Sequence, residues 1–279
     1  MLTFGAFYSI IKQTRQTFGV ATMNAQMILD VLGIIWAILK SLFWRNSNIV
    51  YVNSNVKAAN LKQIAEKLSL EKYKCVNCQS KKKNGLRALK RHFRKMRISL
   101  YQIQRNIVDS SKITYCGFAS QMFSIYDGYI LGNTFQYRFI DFNGKYYDFS
   151  PTIKEPVEQI PLNGCNEEEV SLIISTSYDI DATKCLKNKQ YVFCKKAPEK
   201  ITSTYLNEVY AYVKNFLDAC GKTNIKTVNL YITAKQSVSF IVGTAIQSYH
   251  PAVRIYEYRD NKFKYYLDLS QGKIFEVKE

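Results

Sequence analysis

Four short polar runs stand where apolar stretches end: Ser54 and Asn55 beyond NIVYV, Ser120 and Gln121 after KITYCGFA, Ser175, Thr176 and Ser177 after VSLII, and Lys235, Gln236 and Ser237 after TVNLYITA. Hydroxyls and amides of this kind hydrogen-bond to phosphate oxygens and base edges, and Lys235 adds a point charge. Read as strands, the apolar stretches place these runs at strand carboxyl ends. That is where open α/β sheets bind ligands and where helix N-termini offer backbone N–H groups to phosphates. Ser, Thr and Asn are also ordinary helix N-caps, so capping is the competing role.

Catalysis has no comparable signature. Of the two histidines, His92 sits in a dense basic run and His250 precedes Pro251. Both are expected at the surface or in a turn, because the sequence shows no partner that would orient either as a general base. Cys75 and Cys78 have metal-ligand spacing with His92 as the nearest further donor, but no second CxxC or HxxxH completes four ligands. Within YKCVNC the pair reads as strand residues, where Cys behaves as a small hydrophobe. GxSxG, P-loop and HExxH motifs are missing from the sequence. The expectation is no catalytic residue, no metal and no cofactor.

Composition narrows the partner. The 279 residues carry 39 Lys+Arg against 22 Asp+Glu, a net charge of +17, with 47% hydrophobic and 14% aromatic content. That is too apolar for a disordered basic tail, so a folded basic protein with an anionic partner is implied: nucleic acid, a nucleotide or an anionic membrane face. The seven cysteines are odd in number and scattered, which points to a reducing compartment. Nine cations, Lys81, Lys82, Lys83, Arg87, Lys90, Arg91, Arg94, Lys95 and Arg97, fall within 17 residues. Leu86, Leu89, Phe93, Met96, Leu100, Ile103 and Ile107 recur through the same region at steps of 3 and 4, so the spacing predicts an amphipathic helix with a cationic face over Asn84–Val108. Anionic lipid and double-stranded DNA are both open as partners of that face.

Residues 1–46 form a separate hydrophobic segment. Phe18–Trp44 matches the roughly 20 residues a bilayer-spanning helix needs, although Asp30 and Lys40 interrupt it. Gln26, Asp30, Gly33, Ala37 and Lys40 recur at helical spacing and make one polar and small seam on an otherwise apolar helix. Such a seam suits a membrane helix that packs against copies of itself, since small residues allow close approach and a buried Asp faces a partner rather than lipid. The competing reading is an amphipathic helix packed on the soluble body. A cleaved signal peptide fits poorly, because Asp30 breaks the apolar run and Phe43–Trp44–Arg45 is a poor cleavage site. The excess of Lys and Arg after the segment places the body in the cytoplasm, and whether the helix spans or lies on the membrane stays open.

From Asn48 onward strands and helices alternate, as in an α/β fold of tandem Rossmann-like lobes. The first lobe, 47–150, has strands at Asn48–Val52, Tyr73–Cys78, Lys112–Ala119, Gln136–Phe142 and Lys145–Phe149, and helices at Val56–Ser69, Asn84–Val108 and Phe123–Leu131. The stretch 151–169, with Pro151, Pro156 and Pro161, reads as a linker. The second lobe, 170–279, repeats the order with strands at Val170–Ser175, Tyr191–Cys194, Thr227–Ala234, Ala252–Tyr258 and Phe263–Leu269, and helices at Ile201–Cys220 and Val238–Gln247. A shift of 115 positions superposes Ala119 on Ala234, Gln121 on Gln236, Ser124 on Ser239 and Gly128 on Gly243. One further residue places Arg138 on Arg254 and Asp141 on Glu257. With the matching element order, this predicts an internal duplication that makes a pseudo-dimer.

The segments EEVSLIISTSYDI (Glu168–Ile180) and VNLYITAKQSVSFIVGTAIQSYHPAVRIYEY (Val228–Tyr258) resemble SAVED domains, which are two fused CARF-like lobes. These occur in bacterial anti-phage systems called CBASS and in some type III CRISPR systems. The resemblance spans about Asn48–Leu269. It departs from the family pattern in the loops SQMFS and KQSVS, which carry no proline where members often do. It implies that the ligand is a cyclic di-, tri- or tetranucleotide made by a partner nucleotidyltransferase, and that binding drives head-to-tail assembly into an oligomer or filament. Together with the N-terminal segment it predicts a non-enzymatic effector of the bacterial inner membrane, with lipid as a partner and no obligatory DNA. A soluble sensor subunit that binds or degrades nucleic acid, including a type III CRISPR accessory or a ring nuclease, is the alternative.

Overall fold

The computed structural model describes residues 48–54, 73–79, 85–105, 112–140, 146–150, 162 and 166–277. The chain divides into two compact units, Met1–Arg45 and Asn46–Glu279, and everything described belongs to the second. The N-terminal segment with Gln26, Asp30, Gly33, Ala37 and Lys40, the helix expected at Val56–Ser69 and most of the linker therefore lie outside the described residues, as do Asn55, Lys81, Lys82 and Lys83. Among the described residues, no helix is long and apolar enough to cross a membrane.

Two sheets carry the fold. In the first, β1 (Asn48–Ser54), β2 (Tyr73–Gln79), β3 (Lys112–Phe118), β4 (Gln136–Ile140) and β5 (Tyr146–Phe149) are ordered β2-β1-β3-β4-β5. In the second, β6 (Glu169–Ser175), β7 (Lys189–Cys194), β8 (Thr227–Thr233), β9 (Ala252–Arg259), β10 (Lys262–Asp268) and β11 (Lys273–Glu276) are ordered β11-β10-β9-β8-β6-β7. Among the described residues each sheet has four parallel strands followed by an antiparallel one, and β11 alone has no counterpart. β11 is a short edge strand whose four residues were too few to show an alternating pattern.

The described helices are α1 (Leu86–Gln104), α2 (Gln121–Leu131), α3 (Ser203–Cys220) and α4 (Gln236–Ala245). Alternate residues of each strand point to opposite faces. Inward-facing Ile49, Tyr51, Ile113, Tyr115, Leu172 and Leu230 join one core shared by both lobes and all four helices. Outward-facing Val50, Val52 and Cys116 form a smaller cluster, as do Ile173, Tyr231 and Tyr256 on the second sheet.

The lobes meet through α2 and α4. A Cβ on Gly128 would overlap the carbonyl oxygen of Phe240, and a Cβ on Gly243 would overlap that of Ile125. These contacts interchange under the shift of 115, so the helices cross about a pseudo-twofold axis at backbone contact. Only glycine permits that approach. The strand registers obey the same relation: Thr114 pairs with Arg138, and Asn229 with Arg254. Each arginine faces an aspartate on the next strand, Arg138 at 2.8 Å from Asp148 and Arg254 at 3.7 Å from Asp268.

Candidate ligand-binding site

Parallel pairing brings the carboxyl ends of β1 and β3, and of β6 and β8, to one edge of each sheet, with Ser54 beside Phe118 and Ser175 beside Thr233. The starts of α2 and α4 join them at the pseudo-axis. Gln121 Nε2 donates to the Ala234 carbonyl at 2.7 Å, and Gln236 Nε2 donates to the Ala119 carbonyl at 2.7 Å. The duplicated glutamines thus hold each lobe's polar loop against the other, each through an amide N–H. Both helices extend two residues further toward their N-termini than the spacing indicated.

The remaining strand-end residues are placed as follows. Ser120 and Lys235 are the N-caps of α2 and α4, in extended backbone and with no side-chain capping bond. Ser54 is buried, Ser175 Oγ accepts from the Ile180 amide at 3.2 Å, and the amides of Thr176 and Ser177 donate to the Thr233 carbonyl at 2.9 and 3.0 Å. Ser237 is buried and accepts from Tyr147 Oη, which reaches over from the first lobe. Lys235 is exposed, and its ammonium donates to the carbonyls of Pro198 and Glu199 at 3.1 and 2.9 Å. An ammonium has three donors, so one is left for a ligand.

The two helix starts differ electrostatically. Glu257, from β9 of the second lobe, lies against Ser120, the Met122 amide and Arg259 at the start of α2; burial pushes its carboxyl above the usual range, and those three neighbours oppose the shift. The start of α4 carries Lys235 instead. An incoming anion therefore meets a carboxyl at one helix N-terminus and a cation at the other.

A model of the SAVED family, described as the SMODS-associated and fused to various effectors sensor domain, matches residues 96–269, well over half of the chain. The chain belongs to the SAVED family. Solved structures of the same fold include the Acinetobacter baumannii Cap4 SAVED/CARF-domain containing receptor with the cyclic trinucleotide 3'3'3'-cAAA, at TM-score 0.55 and 13% identity, covering 91% of this chain and 57% of that one. The same receptor with 2'3'3'-cAAA gives TM-score 0.55 and 14% identity, with 84% and 53% covered. The Moraxella osloensis Cap4 receptor gives 0.50 and 14%, with 80% and 49% covered. This chain spans about half the length of those receptors. No curated protein matches it by sequence.

Within this SAVED fold the first lobe holds a buried polar network that sequence reasoning missed. Asp127 of α2 accepts from Tyr51 Oη at 2.9 Å and from Asn53 Nδ2 at 2.6 Å, and Tyr115 Oη lies 2.9 Å from its second oxygen. Tyr115 Oη also lies 3.0 Å from Ser124 Oγ, which donates to Gln236 Oε1. Burial pushes the Asp127 carboxyl up to about 7, against the lowering effect of Asn53, Tyr51 and Tyr115. Tyr115 Oη stands between the Asp127 carboxyl, to which it donates, and Ser124 Oγ, so the run continues through Ser124 to Gln236, and so to the lobe contact. The second lobe has Val242, Leu230, Leu172 and Ile174 at the positions equivalent to Asp127, Tyr115, Tyr51 and Asn53. There Ser239 Oγ, the counterpart of Ser124, is buried without a hydrogen-bond partner.

The expectation for His92 is corrected. His92 is buried on the inner face of α1, its Nε2 2.8 Å from Asn53 Oδ1, and burial followed by Lys95 lowers it to about 4. The apolar stripe of α1, rotated by one position, would have placed it inside. His250 lies in the turn expected, but its ring is buried: Nδ1 accepts from the Gln247 amide at 3.0 Å and Nε2 meets Asp218 at 2.9 Å. It ties the end of α3 to the loop after α4. Cys75 and Cys78 lie in β2, with the Cys78 thiol buried and pushed up to about 12 by that burial. No group of three or more metal-ligating side chains occurs among the described residues. Arg87, Lys90, Arg91, Arg94, Lys95 and Arg97 are all exposed, as the amphipathic reading of α1 requires.

Proposed function

We propose that the polar edge at the pseudo-axis binds a cyclic oligonucleotide and that this protein is a sensor-effector of the CBASS type rather than an enzyme. The observation that carries the reading is the convergence of strand carboxyl ends and two helix N-termini on one axis. A ring of repeating nucleotides presents similar groups to both halves of such a site. The family membership and the Cap4 receptors solved with cyclic trinucleotides support the same reading. Lys235 and the start of α4 take phosphate, while Ser54, Asn55, Ser120, Ser175, Thr176, Ser177 and Ser237 supply hydroxyls and amides. Gln121 and Gln236 hold the two lobes in register around the ligand.

In this reading the ligand comes from a partner nucleotidyltransferase, and binding joins similar but non-identical lobes of successive subunits head to tail. Assembly gathers the N-terminal segments of many copies at the inner membrane, with the body in the cytoplasm. The Gln26, Asp30, Gly33, Ala37 and Lys40 seams then pack together and open the bilayer. Full-length protein added to dye-loaded liposomes tests this: one class among cyclic di-, tri- and tetranucleotides should trigger release. Release that is independent of every nucleotide, or nuclease activity without release, contradicts it.

A further inference from the structure

Elsewhere in the described body, cations are commonly matched by carboxylates: Lys112 and Arg138 with Asp148, Lys195 with Glu208, Lys214 with Asp218, Lys226 with Glu168, Arg254 with Glu169. α1 is different. Its 19 residues include no acidic side chain, and none of its six exposed cations forms a salt bridge among the described residues. On the same outer face stand two large apolar residues, Ile98 at 56% and Tyr101 at 58% exposure, which a helix meant only for solvent would not carry side by side. Lys90, Phe93, Arg94, Arg97, Ile98 and Tyr101 line an open groove of about 450 Å³. Their spacing puts them in one row along the helix.

We propose that this row is a docking surface for an anionic lipid bilayer, with Lys90, Arg94 and Arg97 at acidic headgroups and Ile98 and Tyr101 entering the boundary with the acyl chains. Charge complementarity calls for a polyanion, and the two apolar side chains select which one. A nucleic-acid backbone satisfies the cations but leaves Ile98 and Tyr101 facing phosphate and water, whereas a lipid interface takes cationic and apolar groups on one helix face together. The surface needs no nucleotide, so it fixes how the body sits before any ligand arrives. It rests on the membrane part of the function proposed above.

The test is nucleotide-free partitioning of the full chain onto vesicles of phosphatidylcholine alone and of phosphatidylcholine with phosphatidylglycerol. The N-terminal segment carries Lys12, Arg15, Lys40 and Arg45 of its own, so the contribution of α1 is read from its variants against the wild type on the same vesicles. The expected result is at least tenfold tighter partition onto the anionic vesicles, falling about fivefold for each of Arg94→Glu and Arg97→Glu. Ile98→Ser with Tyr101→Ser should lower partition while keeping its dependence on salt. Equal partition onto both compositions, or charge variants that melt normally and partition unchanged, overturns the proposal. So does tight, salt-sensitive binding to duplex DNA without a lipid preference. Because no nucleotide is present, failure here is distinguishable from failure of ligand sensing, which liposome leakage reads separately.

Discussion

At the residue scale, the two lobes provide an internal control for the buried polar network. Ser124 has Tyr115 and Gln236 as partners, while Ser239 at the equivalent position has a buried hydroxyl and no partner. Ser124→Ala should cost about 1–2 kcal/mol in urea unfolding, whereas Ser239→Ala should be neutral or stabilising, since it removes an unpaired buried group. Titration of the network is equally specific. Asp127, raised to about 7, contributes stability at low pH that is lost as pH rises from its unfolded value toward 7; His92, lowered to about 4, contributes stability above its unfolded value that is lost as pH falls toward 4. The two slopes oppose one another between about pH 4 and 6.5. Asp127→Asn removes one of them, so thermal melting of that variant should fall more steeply than wild type on acidification through this window. Parallel curves for the two proteins would contradict the assignment.

At the element scale, the repeat was legible because the lobe contact constrains its own residues. Gly128 and Gly243 must lack a Cβ, and Gln121 and Gln236 must reach across, so these positions kept their identity under the shift of 115. Gly128→Ala and Gly243→Ala should each destabilise by about 3 kcal/mol in denaturant titration, through overlap with backbone that has no room to move. Strands and helices of strong periodicity, such as β6, β8 and α1, were equally plain. What was not legible depends on partners far apart in the chain. Asp127 meets Tyr51, Asn53 and Tyr115 from β1 and β3, and His250 meets Asp218. A polar residue among apolar ones gives no sign in sequence of whether it is satisfied inside or turned to water. The glutamines show the same limit from the other side: their position at strand ends was readable, but their use across the pseudo-axis required the second lobe.

At the scale of the whole molecule, the charge of +17 resolves into parts. Six exposed cations are concentrated on α1, many cations elsewhere are paired, and Lys235 stands at the start of α4 whereas Glu257 lies at the start of α2. The asymmetry of the two helix starts predicts that ligand affinity depends on one side chain far more than on its neighbours. The direct measurement is calorimetric titration of the full-length protein with cyclic di-, tri- and tetranucleotides, repeated with Lys235→Glu. One class should bind saturably to the wild type, and the charge reversal should weaken it at least tenfold, a difference of about 1.4 kcal/mol, while the melting temperature is kept. Binding of no cyclic nucleotide, or binding that Lys235→Glu leaves unchanged, would contradict a ligand site at the pseudo-axis.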